Sequence, residues 1–291
     1  MTLIQSTDRI EDEQKTVLIT GCSSGFGKLL VRAFLQNGWR VVATMRRADT
    51  RVELFSDEIQ RYGNNLIVET LDVTSGEDRD AITKKITNIG NQTLDCLINN
   101  AGYALFGALE DCSEAQLREQ YEVNLVAPVL LTRAMLPYLR ASKGSVINIS
   151  SIMSFVGFPM SSAYCSSKAG LSMMSESLKH ELEPLGLRVH SVEPGGFRTG
   201  FADNSQWGND NNEAYMERTS HFHQLQNKLG AGEGKDPSPV IERVLSLANG
   251  GNATLRNHVG RDAWLSSVMQ KVLPNEVRLK VMSLMFKRLF H

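Results

Sequence analysis

Cysteine is scarce in this chain of 291 residues, and its four cysteines show no pairing or metal-binding pattern. They form no C-x-x-C motif and no arrangement with histidine at metal-ligand spacing. The four are Cys22, Cys96, Cys112 and Cys165. We therefore expect reduced thiols in a cytoplasmic protein. His221 and His223 lie one residue apart, but no third ligand accompanies them, so we predict no metal site.

Long apolar runs and an excess of positive charge are also missing. No run approaches the ~20 apolar residues that a bilayer-spanning helix needs. Residues 1–15 are polar and lack the apolar segment and cleavage site of a secretion signal. The formal net charge is −1, so no basic stripe is available to neutralise nucleic-acid phosphates. We expect neither a nucleic-acid partner nor membrane contact.

The chain does contain the material for one large core, because 42% of its residues are hydrophobic and only 22% are charged. Short apolar runs alternate with helical patterns, which is typical of a parallel sheet with helices on both faces. We therefore predict a single doubly wound α/β domain over residues 16–274. The predicted strands are Thr16–Thr20, Trp39–Thr44, Leu66–Val68 leading to Leu71–Val73, Leu94–Ile98, Ser145–Ile149, Leu187–Val192 and one around His258–Gly260.

A glycine-rich turn follows the first predicted strand and precedes a helical pattern. Its glycines have the spacing G-x-x-x-G-x-G. Glycines let a pyrophosphate approach the backbone, and a helix N-terminus supplies N–H donors and a positive dipole. The alternative is a turn whose glycines serve backbone geometry alone. We predict a dinucleotide site formed by Gly21, Ser23, Ser24, Gly25, Phe26 and Gly27.

The residues after the second predicted strand bear on the choice of cofactor. An NAD-binding protein usually places an acidic residue there for the ribose 2′-hydroxyl, whereas the 2′-phosphate of NADP needs a cation. This chain has Arg46 and Arg47, and the nearest acid, Asp49, follows both. The pattern favours NADP(H) bound by Arg46, against the alternative of two solvated arginines in a turn.

Polar residues follow two further strands, where ligands bind in such sheets. Asp72 and Val73 end one strand region, and Asn100, Ala101 and Gly102 follow the next. We predict that they line the cofactor cleft and contact the adenine, although Asp, Asn and Gly are also common turn formers.

A buried amide is predicted at Asn124, which stands between Val123 and Leu125 in a helical run from Ser113 past Leu136. Buried amides need hydrogen-bond partners. Two interpretations remain open: Asn124 bridges backbone carbonyls, or it kinks the helix and anchors a water beside the active site.

Tyr164 and Lys168 stand four residues apart in an amphipathic run, so a helix places them on one face. A nearby ammonium favours the phenolate, so we expect Lys168 to lower the pKa of Tyr164 and to make it a general acid and base. Ser151, thirteen residues earlier, would hold a substrate oxygen. Alone the spacing is weak, since a solvated neighbour pair has the same pattern.

Together these residues resemble the short-chain dehydrogenase/reductase family, from Thr16 to about Thr199. The matching motifs are Thr20-Gly21-x-x-x-Gly25-x-Gly27, Asp72, Asn99-Asn100-Ala101-Gly102, Asn124, Ser151, Tyr164-x-x-x-Lys168 and Pro194-Gly195 with Thr199. The resemblance implies a Rossmann fold with a mostly seven-stranded parallel sheet. It also implies hydride transfer between a nicotinamide and a carbonyl or alcohol, in a dimer or tetramer.

The resemblance further implies residue roles. Tyr164 would be the proton donor and acceptor, Lys168 would hold the nicotinamide ribose, Ser151 would orient the substrate oxygen, and Asn124 would hold a proton-relay water. The residues that would flank the nicotinamide are Pro194, Gly195 and Thr199. Three segments are similar in sequence to the hydroxysteroid and retinol dehydrogenase branch of the family: Cys22–Gly25, Ala43–Arg46 and Phe197–Phe201. This similarity implies a bulky apolar substrate.

Two C-terminal segments complete the predictions. Residues 197–239 resemble the mobile substrate lid of the family, which closes to exclude water. Residues 275–291 predict an amphipathic helix with Val277, Val281, Met285 and Leu289 on one face. We favour docking of that face on the protein or a second subunit over membrane contact, because the basic cluster is small.

The leading hypothesis is thus an NADP(H)-dependent oxidoreductase. One alternative is a nucleotide-sugar epimerase or dehydratase with tightly held NAD, but such relatives carry G-x-x-G-x-x-G and a larger C-terminal domain. The other is a dinucleotide-binding protein without turnover, against which the intact Ser151, Tyr164 and Lys168 argue.

Overall fold

The structure is a computed structural model, and it describes residues 14–89, 92–209, 212–228, 235–251 and 254–289. A seven-stranded parallel sheet occupies the centre, with the strand order β3-β2-β1-β4-β6-β7-β9. Its strands are β1 (Thr16–Ile19), β2 (Arg40–Met45), β3 (Leu66–Thr70), β4 (Cys96–Asn99), β6 (Ser145–Ile149), β7 (Arg188–Pro194) and β9 (Arg256–Val259). Two short strands, β5 (Leu105–Phe106) and β8 (Gln206–Trp207), pair separately. The predicted α/β class and seven strands are confirmed.

Helices cover both faces of the sheet. They are α1 (Gly25–Gln36), α2 (Ser56–Tyr62), α3 (Gly76–Asn88), α4 (Glu114–Tyr121), α5 (Ala127–Ser142), α6 (Ser162–Leu182), α7 (Met216–Lys228), α8 (Ser238–Ala248), α9 (Arg261–Val272) and α10 (Asn275–Leu289). No helix of the described residues has the length and apolar content to cross a bilayer.

Alternating side chains of the strands divide the core into two layers. Val17 and Ile19 of β1 pack with Phe34 of α1 and Val244 of α8. Leu18, which points to the other face, packs with α3 and α5. Because both faces of the sheet are covered by helices, side chains on both sides of each strand are buried, and the strands are therefore unbroken apolar runs in the sequence. This is the doubly wound arrangement that the sequence predicts.

The strand order reverses between the parallel neighbours β1 and β4. From β1 the chain continues outward to β2 and β3 on one side, and from β4 it continues to β6, β7 and β9 on the other. Leu18 is in register with Val42 of β2 on one side and with Leu97 of β4 on the other. In parallel sheets a crevice forms outside the carboxyl ends at such a point. The glycine turn after β1 and the Asn100–Gly102 turn after β4 therefore meet there.

The predicted helix from Ser113 past Leu136 is interrupted. Helices α4 and α5 are joined by a π-helical segment, Glu122–Val126, which contains Asn124. Strand β3 ends at Thr70, so Leu71–Val73 is a turn instead of the strand continuation that the sequence indicates. Helix α6 begins at Ser162, slightly before the Tyr164 start that we predict.

The terminal predictions are described in part. Of the polar leader predicted over residues 1–15, only Gln14 and Lys15 lie within the described residues. The predicted lid contains β8 and α7, but residues 210–211 and 229–234 lie outside the described ranges. The predicted C-terminal helix is α10.

Candidate active site

The β1–α1 turn brings three backbone segments into close contact. Gly21 has a φ of +71°, and a Cβ there would lie 2.8 Å from the Cα of Ala101. Gly25 has a φ of +54°. A Cβ on Gly27 would lie 2.2 Å from the carbonyl oxygen of Gly21, so only glycine fits there. Glycine is therefore required in this turn both by the positive φ angles and by the lack of space for a Cβ atom.

The first turn of α1 is suited to binding an anion. Its N-cap residue Ser24 is extended and makes no side-chain capping bond within the described part of the chain. The N–H groups at a helix N-terminus then remain available to an anion, and the helix dipole favours negative charge. Ser23, Ser24, Gly25 and Phe26 line the large cavity at this end of the sheet. These residues fit a dinucleotide pyrophosphate.

Asn100 supports this turn, a role that the sequence does not reveal. Its side-chain amide donates to the carbonyl oxygens of Thr20 at 2.8 Å and Gly21 at 3.1 Å. Its backbone N–H donates to the hydroxyl of Thr20 at 3.0 Å. Because both donors of the amide are used by backbone, Asn100 fixes the glycine turn and its amide donors do not reach an adenine edge.

Asp72 forms a turn and lies in the cavity lining, while its contact with an adenine stays a prediction. Its carboxylate accepts from the backbone N–H and hydroxyl of Thr74, at 3.0 and 2.7 Å, which is a turn-forming arrangement. Asp72 and Val73 also line the cavity. Arg46, which the sequence predicts as a cofactor-binding residue, lines the same end of the cavity. Arg51, which the sequence does not predict, lines it too. Arg47 lies outside the lining, with a left-handed φ of +52°.

Tyr164 and Lys168 lie on the cavity side of α6, together with Ser151 at the end of β6. Lys168 is 4% exposed, and its ammonium donates to the carbonyl oxygen of Ile149 at 2.8 Å. The ammonium lies 6.0 Å from the centre of the Tyr164 ring. The predicted shared face is thus observed, and the hydrogen bond to the strand end holds Lys168 in place.

The pKa of Tyr164 differs from the expectation. Burial raises the pKa of the phenol, although the hydrogen bond to Ser151 lowers it, and Lys168 is not among the causes of the shift. Burial also lowers the pKa of Lys168 to about 8. The prediction that Lys168 lowers the pKa of Tyr164 is therefore wrong for the protein alone. Loss of hydration dominates the pKa of the Tyr164 phenol, and the Lys168 ammonium donates its hydrogen bond to the Ile149 carbonyl. A protonated phenol is suited to donating its proton.

Asn124 lies behind the cavity wall and does not line it. Its amide donates to the carbonyl oxygen of Tyr103 at 2.9 Å and accepts from the Tyr103 N–H at 3.2 Å. It also donates to the hydroxyl of Ser167 in α6 at 3.2 Å. Bridging of backbone groups, the first interpretation, is observed, and Asn124 also stands in the π-helical segment of its helix. The kink stays a prediction, and so does the water that Asn124 would anchor.

The predicted nicotinamide-flanking residues Pro194, Gly195 and Thr199 line the cavity after β7. Asp262, at the start of α9, holds this loop through a 2.8 Å bond from the N–H of Gly196. A Cβ on Gly195 would lie 2.2 Å from the same carboxylate. Sequence reasoning missed Asp262, since it comes from a distant helix.

The cavity has a volume of about 410 Å³, and beside Tyr164 it is lined by Phe106, Met153 and Phe201, which belong to an apolar cluster rich in aromatic residues. Phe106 lies 6.4 Å from the Tyr164 ring and Phe201 lies 5.7 Å from it, measured between ring centres. Further members of the cluster are Phe158, Met160, Trp207, Phe222, Leu225 and Phe286. Only the general abundance of aromatics in residues 201–225 indicates this cluster in the sequence.

Most predicted site residues therefore meet in one cavity, while Gly27 and Asn124 stand behind its lining. No group of three or more His, Cys, Asp or Glu side chains suited to a metal occurs among the described residues.

Comparison with known proteins agrees with this geometry. A family model described as short chain dehydrogenase matches residues 15–209. The chain belongs to the short-chain dehydrogenase/reductase family. It is 31% identical to the uncharacterised oxidoreductase YusZ of Bacillus subtilis, over 90% of this chain and 94% of the relative. It is 32% identical to retinol dehydrogenase 16 of Mus musculus, over 90% of this chain and 86% of the relative.

Solved structures of the family share the fold. A short-chain dehydrogenase from Streptomyces avermitilis is 32% identical, with a TM-score of 0.78 over 92% of this chain and 96% of that one. The protein is thus an oxidoreductase of a family that binds nicotinamide dinucleotides, as its sequence motifs predict. The similarity to retinol dehydrogenases agrees with the branch resemblance.

Proposed function

We propose that this protein is an NADP(H)-dependent enzyme that interconverts a bulky apolar carbonyl compound and the corresponding alcohol. The observation that carries the proposal is the joint position of Tyr164, Lys168 and Ser151 in one cavity that continues to the β1–α1 turn and Arg46. A bound nicotinamide would supply the hydride in reduction and accept it in oxidation.

The residues of the chain would manage the proton. In reduction the Tyr164 hydroxyl donates a hydrogen bond and then a proton to the substrate oxygen, for which its raised pKa keeps it protonated. Ser151 positions that oxygen. Lys168, held by Ile149, places a positive charge 6.0 Å from the ring and offsets the charge that develops on the phenolate. Such general acid catalysis contributes a factor of about 10²–10⁴.

Two features support the finer choices of cofactor and substrate. Arg46 lines the cavity where the adenosine ribose is expected, and a guanidinium pairs well with a phosphate. The cluster residues that line the cavity beside Tyr164 offer apolar contacts to a large hydrophobic substrate. Relatives at 34% and 32% identity are named retinol dehydrogenases, which is consistent with an apolar substrate.

Replacing Tyr164 with phenylalanine tests the proposal. Tyr164→Phe should keep NADPH affinity within about twofold, because the ring remains, but should lose carbonyl reduction by about 10²-fold or more. NADPH consumption with a panel of steroid, retinoid and small aliphatic ketones and aldehydes measures the loss.

Tyr62→Phe is the matched control, since Tyr62 lies on α2 outside the cavity. Wild-type turnover by Tyr164→Phe would remove the role assigned to the phenol. Failure of the wild-type protein to reduce any member of the panel with either cofactor would favour a dinucleotide-binding protein without turnover.

A further inference from the structure

Helix α10 exposes an apolar stripe to solvent. Val277, Val281 and Met285 recur every four residues and Leu284 follows Val281 by three, so the four share one face, on which Val281 is half-buried. Leu284 is 63% exposed and Met285 55% exposed. The sequence favours docking of the face with Val277, Val281, Met285 and Leu289 on the protein or a second subunit over membrane contact. In the structure of the single chain Val277, Leu284 and Met285 are exposed.

Helix α9 also carries exposed apolar side chains. It packs against α10 and carries Trp264, which is 60% exposed, and Leu265 and Val272, which are also exposed. We name Trp264, Leu265, Val272, Val277, Leu284 and Met285 together the C-terminal apolar surface. These two neighbouring helices carry a large share of the exposed large hydrophobic side chains of the described residues. Such a concentration marks an interaction site.

Positive charge surrounds this surface. The two helices carry five cations besides Arg261, namely Lys271, Arg278, Lys280, Lys287 and Arg288, against two acids, Asp262, which pairs with Lys235, and Glu276. Within the described ranges none of these five cations forms an ion pair. The whole chain has a net charge of −1, so the excess is local. A partner for the surface should therefore be apolar and negatively charged.

The opposite side of α10 contacts the active-site region. Phe286 lies 4.8 Å from Phe158, between ring centres, and belongs to the aromatic cluster around Tyr164. Helix α10 therefore lies between the C-terminal apolar surface and the cluster that contributes Phe106 and Phe201 to the cavity lining.

We propose that the C-terminal apolar surface docks reversibly on an anionic lipid bilayer, with α10 lying in the plane of the interface. Apolar side chains, an exposed tryptophan and flanking Lys and Arg are the features that interfacial helices use. A second copy of the chain is the less favoured occupant, because a symmetric contact would bring the same cations together. This docking would place the aromatic cluster around Tyr164 near the lipid from which an apolar substrate partitions. That last consequence rests on the proposed function, whereas the docking itself does not.

Vesicle flotation tests the docking without any turnover. The wild-type protein should float with vesicles of phosphatidylcholine and phosphatidylglycerol in equal amounts, and should float less with phosphatidylcholine alone or at raised salt. Leu284→Asp should weaken the partition about tenfold or more, because it puts a charge in the apolar stripe. Ser283→Asp adds the same charge at the next exposed position, off the stripe, and should have a small effect.

Charge reversal separates the electrostatic contribution. Lys280→Glu combined with Lys287→Glu should reduce the partition more than Lys84→Glu, which changes an exposed lysine on α3. Reduction of a small water-soluble carbonyl by Leu284→Asp at the wild-type rate would show that its fold is intact.

Three results would overturn the proposal. They are no flotation of the wild-type protein with anionic vesicles, equal flotation of Leu284→Asp and Ser283→Asp, and a dimer in light scattering that Leu284→Asp dissociates. The last result would assign the surface to a second copy of the chain.

Discussion

Lys168 is a buried cation whose position depends on one backbone carbonyl. Its ammonium donates to Ile149 at 2.8 Å, and its pKa is lowered to about 8 by burial. The folded protein therefore binds this proton more weakly than the unfolded chain does, where the lysine has its ordinary value of 10.5. Burial of the charge costs stability below about pH 8, and the cost disappears as the pH rises toward 10.5.

The free energy of unfolding should consequently rise with pH relative to a variant without the ammonium. Between pH 7.5 and 10 we expect wild type to gain roughly 2–3 kcal/mol relative to Lys168→Met. Urea unfolding at several pH values measures both slopes, and titrations common to the two proteins cancel in the difference. Lys84→Met, at an exposed position, should parallel wild type. Parallel slopes for Lys168→Met would contradict the lowered pKa.

Arg46 offers a second prediction at the residue scale. Arg46→Ala should raise the KM for NADPH about tenfold to a hundredfold and leave the KM for NADH nearly unchanged, because only NADPH carries the 2′-phosphate. Steady-state kinetics with each cofactor measure the ratio. The adjacent Arg47→Ala is the control, since Arg47 does not line the cavity. An equal effect of Arg46→Ala on both cofactors would argue against the NADP(H) proposal.

At the scale of elements, a network of buried, hydrogen-bonded polar side chains behind the active site holds α6 on the sheet. Ser150 bonds to the carbonyl oxygen of Lys168 at 3.2 Å and to Ser172 at 2.8 Å. Ser172 in turn donates to the fully buried carboxylate of Glu193 on β7 at 2.9 Å. His258 of β9 approaches the same carboxylate at 2.9 Å. Because Ser150, Ser172 and Glu193 are buried and joined by hydrogen bonds, they help to hold the backbone of Lys168 in position beside β6.

The close packing of the β1–α1 turn against α1 depends on the absence of a side chain at Gly27. Gly27→Ala would place a Cβ against the Gly21 carbonyl, so the turn must open or α1 must shift. We expect at least a tenfold loss of NADPH affinity and a lower Tm, measured by fluorescence titration and thermal unfolding. Gly76→Ala, in the first turn of α3, is the control because its Cβ would meet only Arg79 at 3.8 Å. Unchanged affinity for Gly27→Ala would show that the turn is not tightly packed.

At the scale of the whole molecule, a second exposed apolar area lies on helices that contact each other. Tyr121, Val126 and Val129 are exposed on α4, the π-helical segment and α5. Met173 is 59% exposed on α6, which Tyr121 contacts through a 2.7 Å bond to Ser166. We propose that this area forms the interface of the homo-oligomer that the family resemblance implies.

Light scattering after gel filtration tests the oligomer. Wild type should run as a dimer or tetramer, and Val129→Glu should shift it toward monomer, because a buried unpaired carboxylate is costly. Ile59→Glu changes an exposed isoleucine on α2 and should leave the mass unchanged. A monomeric wild-type protein would refute the proposal, and an oligomer insensitive to Val129→Glu would place its interface elsewhere.

The fold class and most residues of the cavity could be predicted from local sequence patterns. Strand runs such as Ser145–Ile149, the glycine spacing and the four-residue separation of Tyr164 and Lys168 are local patterns. Local patterns follow from backbone geometry, and the parallel sheet then brings strand ends together. These features could therefore be predicted without coordinates.

Features that depend on contacts between residues far apart in the chain could not be predicted and are visible in the folded structure. The amide of Asn100 supports Gly21, and Asp262 holds Gly196, across 79 and 66 residues of sequence. The aromatic cluster around Tyr164 gathers side chains from loops and helices far apart in the chain. The raised pKa of Tyr164 likewise depends on the water that neighbouring elements exclude, and sequence spacing carries no information about that hydration.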